Sequence, residues 1–244
     1  MASTESSSAA LIIPNLLQNR PYDRAMSLRL PWPEIDDVLL DMDGTLLDLA
    51  FDNHFWQRLL PQRYAQRHGM TEEAARLALA PHFERTLGTL DWYCIDFWHR
   101  QTGVDIGALK REVARDVRLL PETTAFLDAL KQRDKRLWLV TNAHPETLAI
   151  KLERAPIAHY FDRIVSSHEL AAPKEHPGFW QGLSARHPFD PQRSVLIDDS
   201  EAVLKAGHAF GVGHIVTAAW PDRGRPVRTG LAFPSIRTLD ELLP

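Results

Sequence analysis

Five short apolar segments alternate along this 244-residue chain with segments that have the periodicity of amphipathic helices. The apolar segments are residues 38–40, 137–140, 164–165, 195–197 and 215–216. The helices are predicted at residues 122–133, 145–153, about 176–186 and 201–209. Strands that alternate with helices form parallel sheets, and right-handed crossovers place the helices on both faces of such a sheet. The pattern therefore predicts a doubly wound α/β core.

The long interval after the first apolar segment breaks this alternation. Residues 46–120 contain no strand-like run and instead show the periodicity of amphipathic helices. These helices are predicted at about residues 53–68, 71–87, 91–101 and 105–117. Ligands of open α/β sheets bind at the carboxyl ends of the strands, so a helical insert that follows the first strand covers the binding site. We therefore predict a helical cap.

The chain is thus predicted to have three parts. Residues 1–34 show little periodic pattern and form an N-terminal extension that is expected to be poorly ordered. Residues 35–48 and 119–244 form the α/β core, a doubly wound, Rossmann-like parallel sheet, and residues 49–118 form the cap.

The composition excludes several classes of protein. Hydrophobic residues make up 44% of the chain and charged residues 25%, which is typical of a folded soluble protein. A formal net charge of −4 without a basic run favours neither nucleic acid nor a membrane as a partner, and no protein partner is implied. Cys94 is the only cysteine, so no intrachain disulfide can form, and the N-terminus does not resemble a signal peptide. We expect a cytoplasmic protein.

Two carboxylates, Asp41 and Asp43, follow the first apolar segment and precede Gly44. Alternation along a strand sends residues i and i+2 to the same side. One carboxylate can then attack as a nucleophile while the other handles a proton, both beside a divalent cation. This arrangement indicates phosphoryl transfer.

Polar residues also follow the second and third apolar segments. Thr141 and Asn142 can hold phosphate oxygens, although alone they would be read as residues that end a strand and cap a helix. Lys174 can neutralise both the nucleophile and the transferring phosphoryl group. A lysine in this position without such neighbours would be a solvated surface residue.

The fourth apolar segment ends in a second acidic pair, Asp198 and Asp199. Oxygen ligands of this kind suit Mg²⁺, which also takes phosphate oxygens of a substrate. The alternative interpretation, equally weighted for the pair alone, is a strand-to-helix junction with acidic capping residues.

These motifs occur in order, each at a predicted strand end, and together they resemble the haloacid dehalogenase-like hydrolase superfamily, most of whose members are phosphatases. The resemblance implies that Asp41 is the nucleophile, which forms an aspartyl-phosphate, and that Asp43 is the general acid. It implies phosphoryl binding by Thr141, Asn142 and Lys174. Members of the superfamily that remove halide lack the second aspartate, so the presence of Asp43 favours hydrolysis of a phosphate ester.

The same resemblance implies a bound Mg²⁺. Its ligands are expected to come from Asp41, the backbone carbonyl of Asp43, and the pair Asp198 and Asp199. The resemblance does not show which member of the pair binds the metal directly.

Four longer stretches are similar to the bacterial GMP/IMP nucleotidases, namely residues 39–53, 90–94, 141–145 and 197–202. This similarity implies that the substrate is a small phosphate ester, a purine nucleoside 5′-monophosphate. Two alternatives remain open: a phosphatase or mutase that acts on a sugar phosphate or another small phosphometabolite, and a non-catalytic binding module that keeps the fold.

The predicted cap is rich in aromatic residues that can stack on a nucleobase or form the core of a small helical domain. For any single ring the second interpretation is favoured. We expect Asn53 and His54 to face the site from the first hinge, and Trp92 or Tyr93 to provide a stacking surface.

Overall fold

A six-stranded parallel sheet forms the centre of the computed structural model, which describes residues 28–243. The strands are β1 (Asp37–Leu40), β2 (Arg136–Thr141), β3 (Arg163–Ser166), β4 (Ser194–Asp198), β5 (His214–Ala218) and β6 (Ser235–Ile236). Their order is β3-β2-β1-β4-β5-β6, and every neighbouring pair is parallel. This arrangement confirms the predicted doubly wound α/β core. The short strand β6 was not predicted, because Ile236 is its only apolar residue and so no apolar run marks it.

The chain reverses its direction across the sheet at β1. Strands β2 and β3 extend the sheet on one side of β1, whereas β4, β5 and β6 extend it on the other. Such a reversal leaves a crevice at the carboxyl ends of the two strands that flank it, here β1 and β4. The Asp41 N–H donates to the Ile197 carbonyl at 3.0 Å, so the residue after β1 lies beside the end of β4.

Helices follow β1 before the chain returns to the sheet, as the sequence predicts. They are α1 (Ala50–His54), α2 (Leu60–His68), α3 (Glu72–Thr86), α4 (Leu90–Tyr93), α5 (Ile95–Thr102) and α6 (Ile106–Glu112), and a π-helical turn at Phe55–Leu59 joins α1 to α2. Their apolar side chains form a separate cluster around the buried residues Phe55, Leu79 and Trp98. The predicted boundaries of the cap, residues 49–118, stay predictions.

Two cap helices differ in extent from those predicted. The helix predicted at residues 91–101 is divided at Cys94, whose extended backbone (φ −86°, ψ 108°) ends α4 and begins α5. Its Sγ accepts a hydrogen bond from the Phe97 N–H at 3.5 Å and so caps α5. The helix predicted at residues 105–117 ends at Glu112, where the β-branched Val113 leaves the helical conformation.

Four helices pack against the sheet: α7 (Thr123–Lys131), α8 (Pro145–Arg154), α9 (Pro177–Arg186) and α10 (Glu201–Phe210). One hydrophobic cluster joins Leu40 to Phe126 of α7, and a second joins Leu39 to Trp180 of α9. Successive side chains of a strand point to opposite faces, so β1 alone contributes to both clusters. No helix within residues 28–243 combines the length and the hydropathy needed to cross a membrane.

Most of the predicted N-terminal extension, residues 1–27, lies outside the described residues. Its last part packs against the core instead of standing apart from it. Trp32 is buried, and its Nε1–H donates to the Leu242 carbonyl at 3.1 Å. Leu28 and Leu30 pack against the same cluster. The packed core therefore begins before residue 35. The local sequence does not indicate this, because these apolar side chains pack in a cluster that includes residues from the C-terminal end of the chain.

Candidate active site

Asp41 and Asp198 meet at the crevice between β1 and β4, and Lys174 lies between them. The Lys174 Nζ donates to Asp41 Oδ1 at 2.5 Å, to Asp198 Oδ2 at 2.7 Å and to the Val140 carbonyl at 3.0 Å. These three acceptors engage all three protons of the ammonium group. The side chain of Lys174 is 2% exposed, so it is a buried cation and not a solvated surface residue.

The loop that carries Lys174 is attached to the end of β2. The Lys174 N–H donates to Asn142 Oδ1 at 2.9 Å, and the Asn142 side chain donates to Glu175 Oε2 at 2.9 Å. Thr141 Oγ1 accepts a hydrogen bond from the Ala143 N–H at 3.0 Å, where the chain turns toward α8. Thr141 and Asn142 thus lie beside Lys174, and their contacts with a phosphate stay predictions.

Three carboxylates, Asp41, Asp198 and Asp199, each place an oxygen within 4.8 Å of the others. Burial raises the pKa of Asp41 to about 7, although the Lys174 ammonium opposes the shift. Burial and the neighbouring charges of Asp198 and Asp41 raise the pKa of Asp199 well above its usual range. The Lys174 ammonium and the Arg228 guanidinium, which lies 3.9 Å from Asp199 Oδ2, face three crowded acids, and a further cation would relieve the remaining repulsion. Carboxylate oxygens suit Mg²⁺, so the residues present fit this metal.

Gly44 lets the chain turn sharply after the first acidic pair. Its φ of +87° lies in the left-handed region that favours glycine. A Cβ at this position would lie 2.8 Å from the Pro221 Cβ and 2.9 Å from the Asp199 Cγ. Both the backbone conformation and the available space therefore require glycine beside the carboxylate cluster.

We expect Gly44→Ala to lower the free energy of unfolding by roughly 2 kcal/mol or more, because backbone strain and overpacking each contribute about 1–3 kcal/mol. Gly88→Ala is the matched control, since Gly88 has a φ of +74° but no atom within 4 Å of the added Cβ. It should show the loss from backbone strain alone. Urea denaturation of both variants measures the difference. Equal losses of unfolding free energy would show that contacts of the added Cβ with Pro221 and Asp199 do not affect stability.

A chain of alternating charges leads from Asp43 into the cap. The Lys151 Nζ donates to Asp43 Oδ1 at 2.6 Å and to Asp52 Oδ2 at 2.6 Å. The Lys110 Nζ donates to the other oxygen of Asp52 at 3.1 Å. Both lysine side chains are 2% exposed. Asp52 and Lys110 belong to cap helices, so this partly buried network connects the cap with the core.

The two acids of this network titrate differently. Burial raises the pKa of Asp43 to about 6, against the opposing effect of Lys151. Burial also acts to raise the pKa of Asp52, but the ammonium groups of Lys151 and Lys110 outweigh it and lower that pKa to about 2. When the environments of two carboxylates separate their pKa values in this way, the carboxylate with the higher pKa is the one suited to carry a proton. Asp43 is therefore the more readily protonated of the two carboxylates, and Asp52 the more readily ionised.

The sequence motifs do not predict Asp52, Lys110 or Lys151 as site residues. A signal was present for the two lysines. Lys151 shares the buried face of α8 with Leu148, and Lys110 shares the buried face of α6 with Ile106. A lysine among apolar side chains on a helix is rarely buried without a partner, so its position indicates a buried ion pair.

A cavity of about 570 Å³ opens between the cap and Asp43. Asn53, Trp92 and Tyr93 line it, and their contacts with a substrate stay predictions. Asn53 reaches across to the loop after β5, and its Nδ2–H donates to Asp222 Oδ2 at 2.7 Å. His54 does not line the cavity, and its side chain is exposed. The expectation that His54 faces the site is not met, because one residue further along a helix the side chain points about 100° away.

The aromatic rings of the cap fall into two groups. Phe55 and Trp98 are buried in the cap cluster, so for them the core interpretation holds. Trp56, Phe83 and Trp92 line the cavity and pack edge-to-face, with ring centroids 6.5 Å apart for Trp56–Phe83 and 5.7 Å apart for Phe83–Trp92. The Tyr93 hydroxyl donates to Glu175 Oε1 at 2.5 Å, which attaches α4 to the loop of Lys174.

Comparison of the amino-acid sequence with known proteins identifies relatives of this chain. A family model described as haloacid dehalogenase-like hydrolase matches residues 35–211. The GMP/IMP nucleotidase YrfG of Escherichia coli (strain K12) is 38% identical over 219 residues, which cover 90% of this chain and 99% of that protein.

Solved structures share the fold. A haloacid dehalogenase-like (HAD) phosphatase from Thermococcus onnurineus matches with a TM-score of 0.69 at 24% identity, over 85% of this chain and 95% of that one. The HAD hydrolase YfnB from Bacillus subtilis, in a structure described as bound to magnesium, matches with a TM-score of 0.59 at 21% identity, over 85% and 96% of the two chains. The chain therefore belongs to the haloacid dehalogenase-like hydrolases and is an enzyme of the phosphatase type.

Proposed function

We propose that this phosphatase hydrolyses purine nucleoside 5′-monophosphates, with GMP and IMP as the expected substrates, and that it depends on Mg²⁺. The observation that carries the proposal is the aromatic cavity above Asp43. Its volume of about 570 Å³ lies within the range of about 300–1,000 Å³ that is usual for small-molecule sites. The 38% identity to a GMP/IMP nucleotidase over 90% of the chain supports the same substrate class.

In the proposed reaction Asp41 attacks the phosphorus atom and forms an aspartyl-phosphate, which divides the hydrolysis into two easier steps. As the bond from phosphorus to the 5′ oxygen breaks, Asp43 donates its proton to that oxygen and the nucleoside leaves. Asp43 then accepts a proton from the water that attacks the phosphoenzyme. The bond between Asp41 and phosphorus breaks, and inorganic phosphate is released.

Thr141 and Asn142 are proposed to bind the phosphoryl oxygens during both steps. Lys174 is proposed to join them by exchanging one of its three protein acceptors for a phosphoryl oxygen. Mg²⁺ would be held by Asp41, Asp198, Asp199 and the Asp43 carbonyl, and when bound it would offset the charge of a carboxylate that meets a phosphate. Lys151 fixes one oxygen of Asp43, Oδ1, at 2.6 Å. The other oxygen is free of that contact and can exchange the proton.

A phosphate-release screen tests the proposal. The panel is GMP, IMP, AMP, glucose 6-phosphate and glycerol phosphate, each with Mg²⁺ and again with EDTA. We expect the highest kcat/KM for GMP and IMP, and no turnover in EDTA. A sugar phosphate as best substrate would overturn the nucleotide proposal and leave the phosphatase assignment intact. A product that keeps its phosphate on a different hydroxyl would indicate a mutase.

Trp92→Ala tests whether the cavity binds the base. Stacking of a base on an aromatic ring contributes about 1–3 kcal/mol, so kcat/KM for GMP should fall roughly tenfold while that for glycerol phosphate stays constant. Phe97→Ala is the control, because Phe97 packs on Trp98 inside the cap and is not among the residues that line the cavity. Equal losses for GMP and glycerol phosphate in Trp92→Ala would remove the stacking interpretation.

A further inference from the structure

A second group of metal-ligating side chains lies apart from the carboxylates of the active site. Cys94, His144 and His168 each place one ligand atom within 4.8 Å of the others. Cys94 lies in the cap between α4 and α5, whereas His144 and His168 follow the adjacent strands β2 and β3. The cluster therefore lies where the cap meets the core.

The two imidazoles are close, and one of them has an unused nitrogen. The rings of His144 and His168 pack edge-to-face with centroids 4.9 Å apart. The His168 Nε2 is buried and has no hydrogen-bond partner among the described residues. A buried polar atom without a partner is uncommon in native proteins and indicates an ion or water that completes the site.

The chemistry of these ligands differs from that of the active site. A thiol and two imidazoles are soft or borderline donors, which select Zn²⁺ and similar transition ions, whereas Asp41, Asp198 and Asp199 offer the hard oxygens that suit Mg²⁺. We propose that Cys94, His144 and His168 form a separate site for Zn²⁺ or a similar divalent transition ion, and that the bound ion ties the cap to the core. This site does not depend on the proposed substrate.

The contacts that the His144 ring makes are weak enough for a metal to replace one of them. The His144 Nδ1 accepts a hydrogen bond from the Glu146 N–H at 3.3 Å, which is longer than the usual range of about 2.7–3.2 Å and holds the ring weakly. The His144 Nε2 lies 3.7 Å from Asp96 Oδ2. Metal binding through Nε2 moves the ring proton to Nδ1 and exchanges the weak contact for a metal bond. A water molecule can then fill the fourth tetrahedral position.

Cobalt provides a selective probe, because Cys94 is the only cysteine of the chain. A thiolate-to-cobalt charge-transfer band in the full-length protein can arise only from Cys94, even if Co²⁺ also binds at the carboxylates. We expect this band to reach full intensity at one equivalent of bound Co²⁺, to persist in excess Mg²⁺ and to disappear when Zn²⁺ is added. Absence of the band in the wild-type protein would overturn the proposal.

Variants identify the ligands. Cys94→Ser keeps an atom that can cap α5 and should lose the band. His168→Ala should weaken Co²⁺ binding by more than the roughly 10- to 100-fold that loss of a supporting contact costs. His99→Ala, an exposed histidine on α5, should leave binding unchanged. Unchanged binding in His168→Ala would contradict the site. In the wild-type protein Zn²⁺ should also slow alkylation of Cys94, and alkylation at an unchanged rate would count against the proposal even if a variant fails to fold.

Discussion

Replacement of Asp41 by asparagine is expected to abolish hydrolysis of every phosphate ester and to leave the protein folded. An amide is not a nucleophile, so we expect kcat to fall roughly 10⁴-fold or more, as for loss of other catalytic nucleophiles. Asparagine has nearly the same shape, and the neighbouring Lys174 keeps its contacts with Asp198 and the Val140 carbonyl. The carboxylate cluster also becomes less crowded.

Phosphate release in Mg²⁺ measures the loss of activity, and near-ultraviolet circular dichroism with a thermal melt confirms the fold. Labelling with a radioactive phosphate ester should give a phosphoenzyme with the wild-type protein and none with Asp41→Asn. Substantial Mg²⁺-dependent turnover by the purified variant would show that Asp41 is not the nucleophile.

Replacement of Lys174 by methionine is expected to cause the largest loss of stability in this site. Lys174 is the buried counter-ion of both Asp41 and Asp198, at 2.5 and 2.7 Å. Removal of one partner leaves buried carboxylates without compensation, which costs about 3–5 kcal/mol. Mg²⁺ should restore part of this loss, because it would bind the same carboxylates. Turnover should be lost as well.

Urea denaturation in EDTA measures the stability that is lost with the Lys174 ammonium, and urea denaturation in Mg²⁺ measures how much of it the metal restores. Lys131→Met is the matched control, since Lys131 also pairs with an aspartate, Asp162, at 3.0 Å, but both side chains are more than a third exposed. An exposed pair contributes about 0–1 kcal/mol, so this variant should be almost neutral. If the two variants lost the same stability in EDTA, the buried ion pair would not stabilise the core.

The strands were predictable because a buried parallel strand is apolar on both of its faces. The runs at residues 38–40 and 195–197 needed no knowledge of their neighbours to be recognised as strands. The two-residue β6 offers no such run, and only its partner β5 makes it a strand. The break at Cys94 was also missed, because a side-chain cap replaces a helical hydrogen bond there without disturbing the apolar periodicity.

The site was predictable wherever its residues end strands. Parallel strands bring their carboxyl ends to one edge of the sheet, so Asp41, Lys174 and Asp198 were expected to converge. The partners of Asp43 were not predictable in the same way. Lys151 reaches it from the middle of a helix, and Lys110 joins through Asp52 only when the cap lies against the core.

The amino-acid sequence by itself determined the alternation of strands and helices, the helical insert and the acidic, amide and lysine residues at the strand ends, because each of these follows from local periodicity or from the order of short motifs. The tertiary structure alone decided which cap residues face Asp43, and it paired Lys110 and Lys151 with partly buried carboxylates. Those contacts join segments far apart in the chain, and they depend on the rotation of each helix about its axis, which a linear pattern does not specify.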